Sequence, residues 1–221
     1  MPINKKYTAI FEHEKIYHVY NKTNNKELLF RSDENRSYFL RQYALFVSPI
    51  ADTYAWNLLP NHFHFIIKIK PKAAIISWLT KLPAEKITKT EKDFLADQDI
   101  NLLVEMTFKR LFTSYAMAYN KMYKRSGNLF YRTFKRMEIV KESHFTHAMV
   151  YVHVNAQRHK LVKKFMSHRW TSFHTIISDK PTNLLRIEVL EWFGGKARLI
   201  KVHEDMSEYY YNFPGLFQED E

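Results

Sequence analysis

The 221-residue chain contains no cysteine. Disulfides, a thiol nucleophile and thiolate metal sites are therefore excluded. Glycine is nearly as scarce, at four residues, which excludes a glycine-rich nucleotide loop and a low-complexity chain. No run reaches the roughly 18 apolar residues of a membrane span. The short apolar stretch 73–79 is itself interrupted by Ser77. The first residues, MPINKKYTAIFEHEK, hold no apolar core of a secretory signal, so a cytoplasmic protein without membrane contact is expected.

Acid is missing where base is dense. Between residues 121 and 136 fall Lys121, Lys124, Arg125, Arg132, Lys135 and Arg136 without one carboxylate, interleaved with Tyr123, Phe130, Tyr131 and Phe134. No Asp or Glu occurs in 143–178, which holds Arg158, Lys160, Lys163, Lys164 and Arg169. The end inverts this: beyond Lys201 there are Glu204, Asp205, Glu208, Glu219, Asp220 and Glu221 but no Lys or Arg. The net charge of +11 suggests a polyanionic partner, nucleic acid before membrane. Cations take phosphates and rings stack on unpaired bases; the plainer alternative is a solvated basic face. At 46% hydrophobic the chain can bury a core, and its length suits one domain with an elaboration at one end. Without thiols, chemistry falls to the 11 His, the 14 Tyr and the carboxylates.

Local pattern gives the element order. Residues 15–21 (KIYHVYN) read as a strand, 33–47 as a helix capped by Ser32 and closed by Pro49, and 52–59 (DTYAWNLL) as a second strand. After the turn at Pro60-Asn61, residues 62–70 (HFHFIIKIK) alternate. Phe63, Phe65, Ile67 and Ile69 share one face; His62, His64, Lys68 and Lys70 share the other. Short loops make the two strands a hairpin. Residues 71–100 read as a helical insertion, 102–123 as a long helix, 129–140 as a fourth strand, 142–164 as a helix and 183–193 as another, before Gly194-Gly195 and an acidic, aromatic tail. The order β-α-β-β-α-β predicts an α+β fold: a ferredoxin-like (RRM-like) antiparallel sheet with helices on one face. Residues 1–180 form that domain and 181–221 a C-terminal extension.

His62 and His64, two apart on a strand, present both imidazoles to one side and could share a divalent cation. Spacing alone equally describes two polar residues on a wet sheet face. No HExxH helix is present.

The segment Leu59-Pro60-Asn61-His62-Phe63-His64-Phe65-Ile66-Ile67 resembles the PNHxH segment of the single-tyrosine transposases of the HUH endonuclease superfamily, the insertion-sequence and REP-associated tyrosine transposases among them. Further stretches are similar in the same order. These are Tyr17-His18-Val19 with Asn21; Phe108-Lys109 through Tyr115 and Asn120; and Gly127-Asn128-Leu129-Phe130 through Phe134. Tyr151-Val152-His153-Val154-Asn155 through Arg158, Leu161 and Val162 follows, then Trp170-Thr171-Ser172-Phe173. The chain departs from the pattern at Ala156, where Pro is usual, and near His159 and Lys160, where Gly is usual. The likeness spans about residues 14 to 175 and leaves the tail beyond 180 without a counterpart.

The resemblance implies cleavage and rejoining of single-stranded, hairpin-forming DNA through a 5′-phosphotyrosine, with Mg²⁺ or Mn²⁺ as cofactor and a homodimer as one possible state. Tyr151 would be the nucleophile; His62, His64 and Asn155 would hold the cation. Tyr17, Tyr20 and Tyr119 read as packing, and His153 as structural or DNA-facing. Lys121, Lys124, Arg125, Arg132, Lys135, Arg136, Arg158, Lys163 and Lys164 are the candidate DNA contacts. Asn155 could instead cap its helix, where Asn is common. The tail aromatics Tyr209, Tyr210, Tyr211, Phe213 and Phe217 could pack on the body or cover the basic site. A non-catalytic single-strand-binding module on the same sheet, and a metallohydrolase of another type, stay open beside the transposase reading.

Overall fold

The computed structural model describes residues 7–24, 27–131 and 133–212. Four strands form one sheet: β1 (Ile16–Lys22), β2 (Ala51–Leu58), β3 (His62–Ile69) and β4 (Lys135–Glu138), in the order β2-β3-β1-β4. All neighbouring pairs run antiparallel. The protein is thus α+β. The expected hairpin is present, with Leu58 opposite Phe63.

Helices cover both faces, which corrects the expectation of one. On the first face α1 (Asp33–Phe46) and α4 (Ile100–Met122) pack against Tyr17, Val19, Phe63, Phe65, Ile67 and Ile69 in one hydrophobic cluster. On the second, α5 (Glu142–Arg158) packs on Tyr54, Ala55 and Ile66. The helices α6 (Phe173–Ile177), α7 (Arg186–Phe193) and α8 (Lys196–Asn212) join that cluster through Phe173, Ile176, Val189, Phe193, Leu199 and Tyr210. The His-bearing face therefore lies under protein rather than water.

Caps explain most boundaries. Ser32 accepts from the Asn35 amide at the start of α1, and Asp99 accepts from the Leu102 amide at the start of α4. The insertion 71–100 resolves into α2 (Lys72–Leu79) and α3 (Lys89–Asp97). A capping box of Thr88 and Glu91 opens α3. Glu91 also holds Arg110 of α4 at 2.8 Å.

Three elements differ from the sequence expectation. The fourth strand is four residues long, not twelve, because side chains take the carbonyls upstream of it. Asn24 bonds the Phe130 carbonyl, and Asn21 bonds that of Tyr131. Helix α5 stops at Arg158 rather than 164, because Lys160 adopts φ 57°. The amides of Lys160 and Leu161 then bond the carbonyls of Gln157 and Ala156, a Schellman termination. This is the place where the resembled pattern carries Gly. Finally, the tail continues as a 17-residue helix, α8, entered through Gly194 (φ 74°) and Gly195 (φ 104°). Tyr210 is buried on the body, while Phe213 and Phe217 lie outside the described residues.

A buried polar run joins α5, α8 and β2. The Leu199 carbonyl can only accept, so His203 donates to it from Nδ1 (2.8 Å). His203 Nε2 then accepts from His153 Nδ1 (2.8 Å), and His153 Nε2 accepts from the Ser172 hydroxyl (2.8 Å). Ser172 Oγ in turn accepts from the Trp56 amide (2.8 Å). His153 is structural.

The end of α5 and the buried histidines can both be tested by denaturation. Left-handed backbone costs an L residue about 1–2 kcal/mol, partly offset for Gly by unfolded-state entropy. Lys160→Gly should therefore stabilise the protein by about 1 kcal/mol in urea denaturation. Burial lowers His203 to about 4 and His153 well below the ordinary histidine value, so both fold neutral. A depressed histidine contributes full stability above its unfolded value near 6.5, lost as pH falls toward the folded value. Each should cost about 1.4 kcal/mol per pH unit in that window. The urea midpoint should drop between pH 6.5 and 5, less steeply in His203→Gln.

Candidate nucleic-acid-processing site

The polar cluster between the second sheet face and α5 follows from two periodicities. On β3 the phenylalanines take the α1/α4 face, which sends His62 and His64 to the other. On α5, residues four apart stack along one side, which brings Tyr151 and Asn155 to the same place. The Tyr151 ring lies 5.7 Å from that of His64 and perpendicular to it. Asn155 Oδ1 lies 3.4 Å from His62 Nε2. The two imidazoles are 5.2 Å apart, centroid to centroid. All four expected residues are thus brought together.

The site is dry. Tyr151 is 1% exposed, and His64 and Asn155 are 0% exposed. Burial, reinforced by His18, pushes His64 well below the ordinary histidine value. It is therefore neutral at pH 7, the form in which imidazole binds metals. Asn155 does not cap its helix: the left-handed residue there is Lys160, and the Asn155 side chain faces His62.

Three neighbours were not assigned to this site from the sequence. His18 Nε2 lies 2.9 Å from His64 Nδ1. Tyr20 stacks on His18 and His64, at 4.9 and 5.6 Å. The His159 ring stands 5.0 Å from that of His62. Strand pairing was the available signal, since Tyr20 is opposite His64 and His18 is on the same face.

Among the described residues, no group of three or more His, Cys, Asp or Glu side chains is placed to hold a metal. A cation here would rest on two imidazoles and the Asn155 amide oxygen. One donor pair has suitable spacing: 3.4 Å between His62 Nε2 and Asn155 Oδ1 is close to the edge, about 3 Å, of an octahedron with bonds near 2.1 Å.

The basic residues separate. Lys121, Lys124, Lys163 and Lys164 are exposed. Lys135 places Nζ 4.7 Å from the Tyr7 ring centre and 5.8 Å from that of Tyr20. Arg158 donates to the Tyr151 hydroxyl at 3.3 Å, so it belongs to the cluster rather than to an outer phosphate track. Arg132 lies outside the described residues. Two expectations need correction. Arg136 is 7% exposed: it pairs with Glu105, donates to the Ala9 carbonyl at 2.7 Å and sits against Phe11 and Phe134. Arg125 grips both carboxylate oxygens of Glu27 at 2.7 and 2.8 Å. Both guanidiniums are engaged by carboxylates, Arg136 inside the fold and Arg125 near its surface.

The fold defines a mixed α/β protein built on a four-stranded antiparallel sheet with a covered polar site on one face. The same architecture occurs in the solved structure of the REP-associated tyrosine transposase bound to a REP hairpin. It is similar to this chain with a TM-score of 0.54 and 15% identity, over 79% of this chain and 87% of that one. At that identity the likeness is one of fold. No protein-family model and no curated protein sequence matches the chain. No helix among the described residues is long and apolar enough to cross a membrane.

Because Arg136 is internal, Arg136→Ala should cost about 2 kcal/mol in urea denaturation. The figure is moderated because Glu105 is partly exposed. The salt dependence of single-stranded DNA binding should not change. Lys163→Ala with Lys164→Ala should do the reverse, flattening log K against log salt by about 0.7 for each phosphate left without its cation.

Proposed function

We propose that the protein is a transposase-like, metal-dependent endonuclease and strand transferase acting on single-stranded, hairpin-forming DNA through a 5′-phosphotyrosine. The observation that carries this reading is the meeting of Tyr151 and Asn155 of α5 with His62 and His64 of β3. A solved tyrosine transposase shares the fold, and the strand order β2-β3-β1-β4 supports a ferredoxin-like sheet.

In the proposed step the Tyr151 oxygen attacks the scissile phosphorus. The phenol O–H bond breaks as the phosphotyrosine ester forms, the P–O3′ bond breaks, and the departing 3′ oxygen takes up one proton for the one the phenol gives up. One ester replaces another, so no nucleotide triphosphate is consumed. His62, His64 and Asn155 would hold Mg²⁺ or Mn²⁺, which when bound would polarise a non-bridging phosphate oxygen. Arg158, at the phenol oxygen, adds a fixed positive charge where negative charge accumulates. The exposed lysines would carry the DNA backbone.

The alternative of a stacking platform on an open RRM-like sheet has less support, because protein layers cover both faces. Incubation with labelled single-stranded DNA and Mn²⁺, followed by a denaturing gel, tests the reading. A covalent protein–DNA band is expected from the native chain and none from Tyr151→Phe, His62→Ala or His64→Ala. Single-strand affinity should stay within about threefold in these variants, since it comes from the lysines. Cleavage without an adduct, or an undiminished adduct in Tyr151→Phe, would remove the proposal.

A further inference from the structure

Two polar side chains at the edge of the cluster take no part in the proposed reaction. Each contacts the Nδ1 atom of one histidine of the pair. Asn61, in the turn before β3, places Oδ1 2.7 Å from His62 Nδ1. His18, on β1, places Nε2 2.9 Å from His64 Nδ1.

We infer that His18 and Asn61 are positioning residues that hold His64 and His62 as Nδ1–H tautomers, so that both imidazoles offer Nε2 to one divalent cation. The inference rests on the metal-dependent reading above and extends it to the residues behind the ligands.

A neutral imidazole carries one ring proton, and an amide oxygen can only accept. Asn61 Oδ1 therefore draws the His62 proton to Nδ1 and leaves the Nε2 lone pair. That lone pair faces Asn155 Oδ1, another acceptor, across 3.4 Å. Two acceptors turned toward each other suit a shared cation. For His64 the partner is a second imidazole, which can donate or accept. As an acceptor, His18 Nε2 leaves His64 in the same tautomer as His62. Packing removes the other freedoms of the His64 ring: Tyr20 stacks on it from the opposite position of the ladder, and Tyr151 meets it at right angles. The remaining variable is which nitrogen bears the proton. Both His18 and His64 are buried, so water does not compete for the bond. Outer partners of this kind affect metal affinity by about 10- to 100-fold.

The test reads Mn²⁺ binding to the full chain by electron paramagnetic resonance, without DNA. His18→Phe and Asn61→Leu are expected to weaken binding by about 10- to 100-fold. His18→Gln and Asn61→Asp, which keep an accepting oxygen, should stay within about threefold of the native chain. Long-range ¹H–¹⁵N spectra of the metal-free native chain report the tautomers directly and do not depend on whether a variant folds. Nδ1–H on both His62 and His64 is expected; Nε2–H on either overturns the inference. Native affinity in both His18→Phe and Asn61→Leu also overturns it. Equal loss in His18→Gln and His18→Phe would make His18 a ligand and overturn its positioning role. Native Mn²⁺ binding in His62→Ala and His64→Ala would instead remove the metal reading, and this inference with it.

Discussion

A strand between two packed layers cannot leave a polar side chain in water, and β3 lies between two such layers. Its Phe63, Phe65, Ile67 and Ile69 fill the core beneath α1 and α4. The alternation that puts them there commits His62 and His64 to the face beneath α5. Buried imidazoles need partners, because an unmatched polar group in a dry interior costs a few kcal/mol. Their partners come from β1, the β2–β3 turn and α5: His18, Asn61 and Asn155. The polar cluster is in this sense the second face of a hydrophobic alternation.

The position of α5 over that face is fixed by more than apolar contact. Asn57 on β2 donates to the Val152 carbonyl at 2.6 Å, inside the helix and one residue from Tyr151. On the far side of α5, the run from Trp56 through Ser172, His153 and His203 to Leu199 ties the helix to β2 and α8. Each bond is directional, so rotation of α5 about its axis would break several at once. The phenol and the amide that meet the histidines are thereby set by hydrogen bonds made elsewhere on the helix.

Much of this was legible in the residue order, for reasons that also mark its limits. Strong alternation in 62–69 and the Ser32 cap belong to local chemistry, and local chemistry is what sequence displays. One helical turn pairs Tyr151 with Asn155 and one strand repeat pairs His62 with His64; that the two pairs meet was what the family resemblance implied. What escaped depends on distant partners. Arg125 and Arg136 sit among aromatics and look like a nucleic-acid surface, yet each is paired with a carboxylate, Glu27 and Glu105, 98 and 31 residues away. His18 acquires its role through strand pairing with β3. The covered histidine face and the helix α8 went unread together, because two histidines on a strand resemble a solvated face until something is known to lie on them.

Strand β2 contains an irregularity whose effect reaches the cluster. Pairing with β3 slips between Thr53 and Ala55, leaving Tyr54 as an extra residue. Thr53 bonds Tyr43 on the α1 side, while Tyr54 and Ala55 both belong to the cluster under α5. The slip thus resets the parity of everything after it. Trp56 and Leu58 return to the first core, and Asn57 comes to face α5. The extra residue is absorbed at the slip: without Tyr54 the pairs Ala55–Ile66, Trp56–Phe65, Asn57–His64 and Leu58–Phe63 would stand in plain alternation, whereas a residue lost from the regular part of the strand would invert its neighbours. A change of one residue should therefore be tolerated at the slip and excluded within Ala55–Leu58, because only there does it turn the Asn57 amide away from the helix that carries Tyr151.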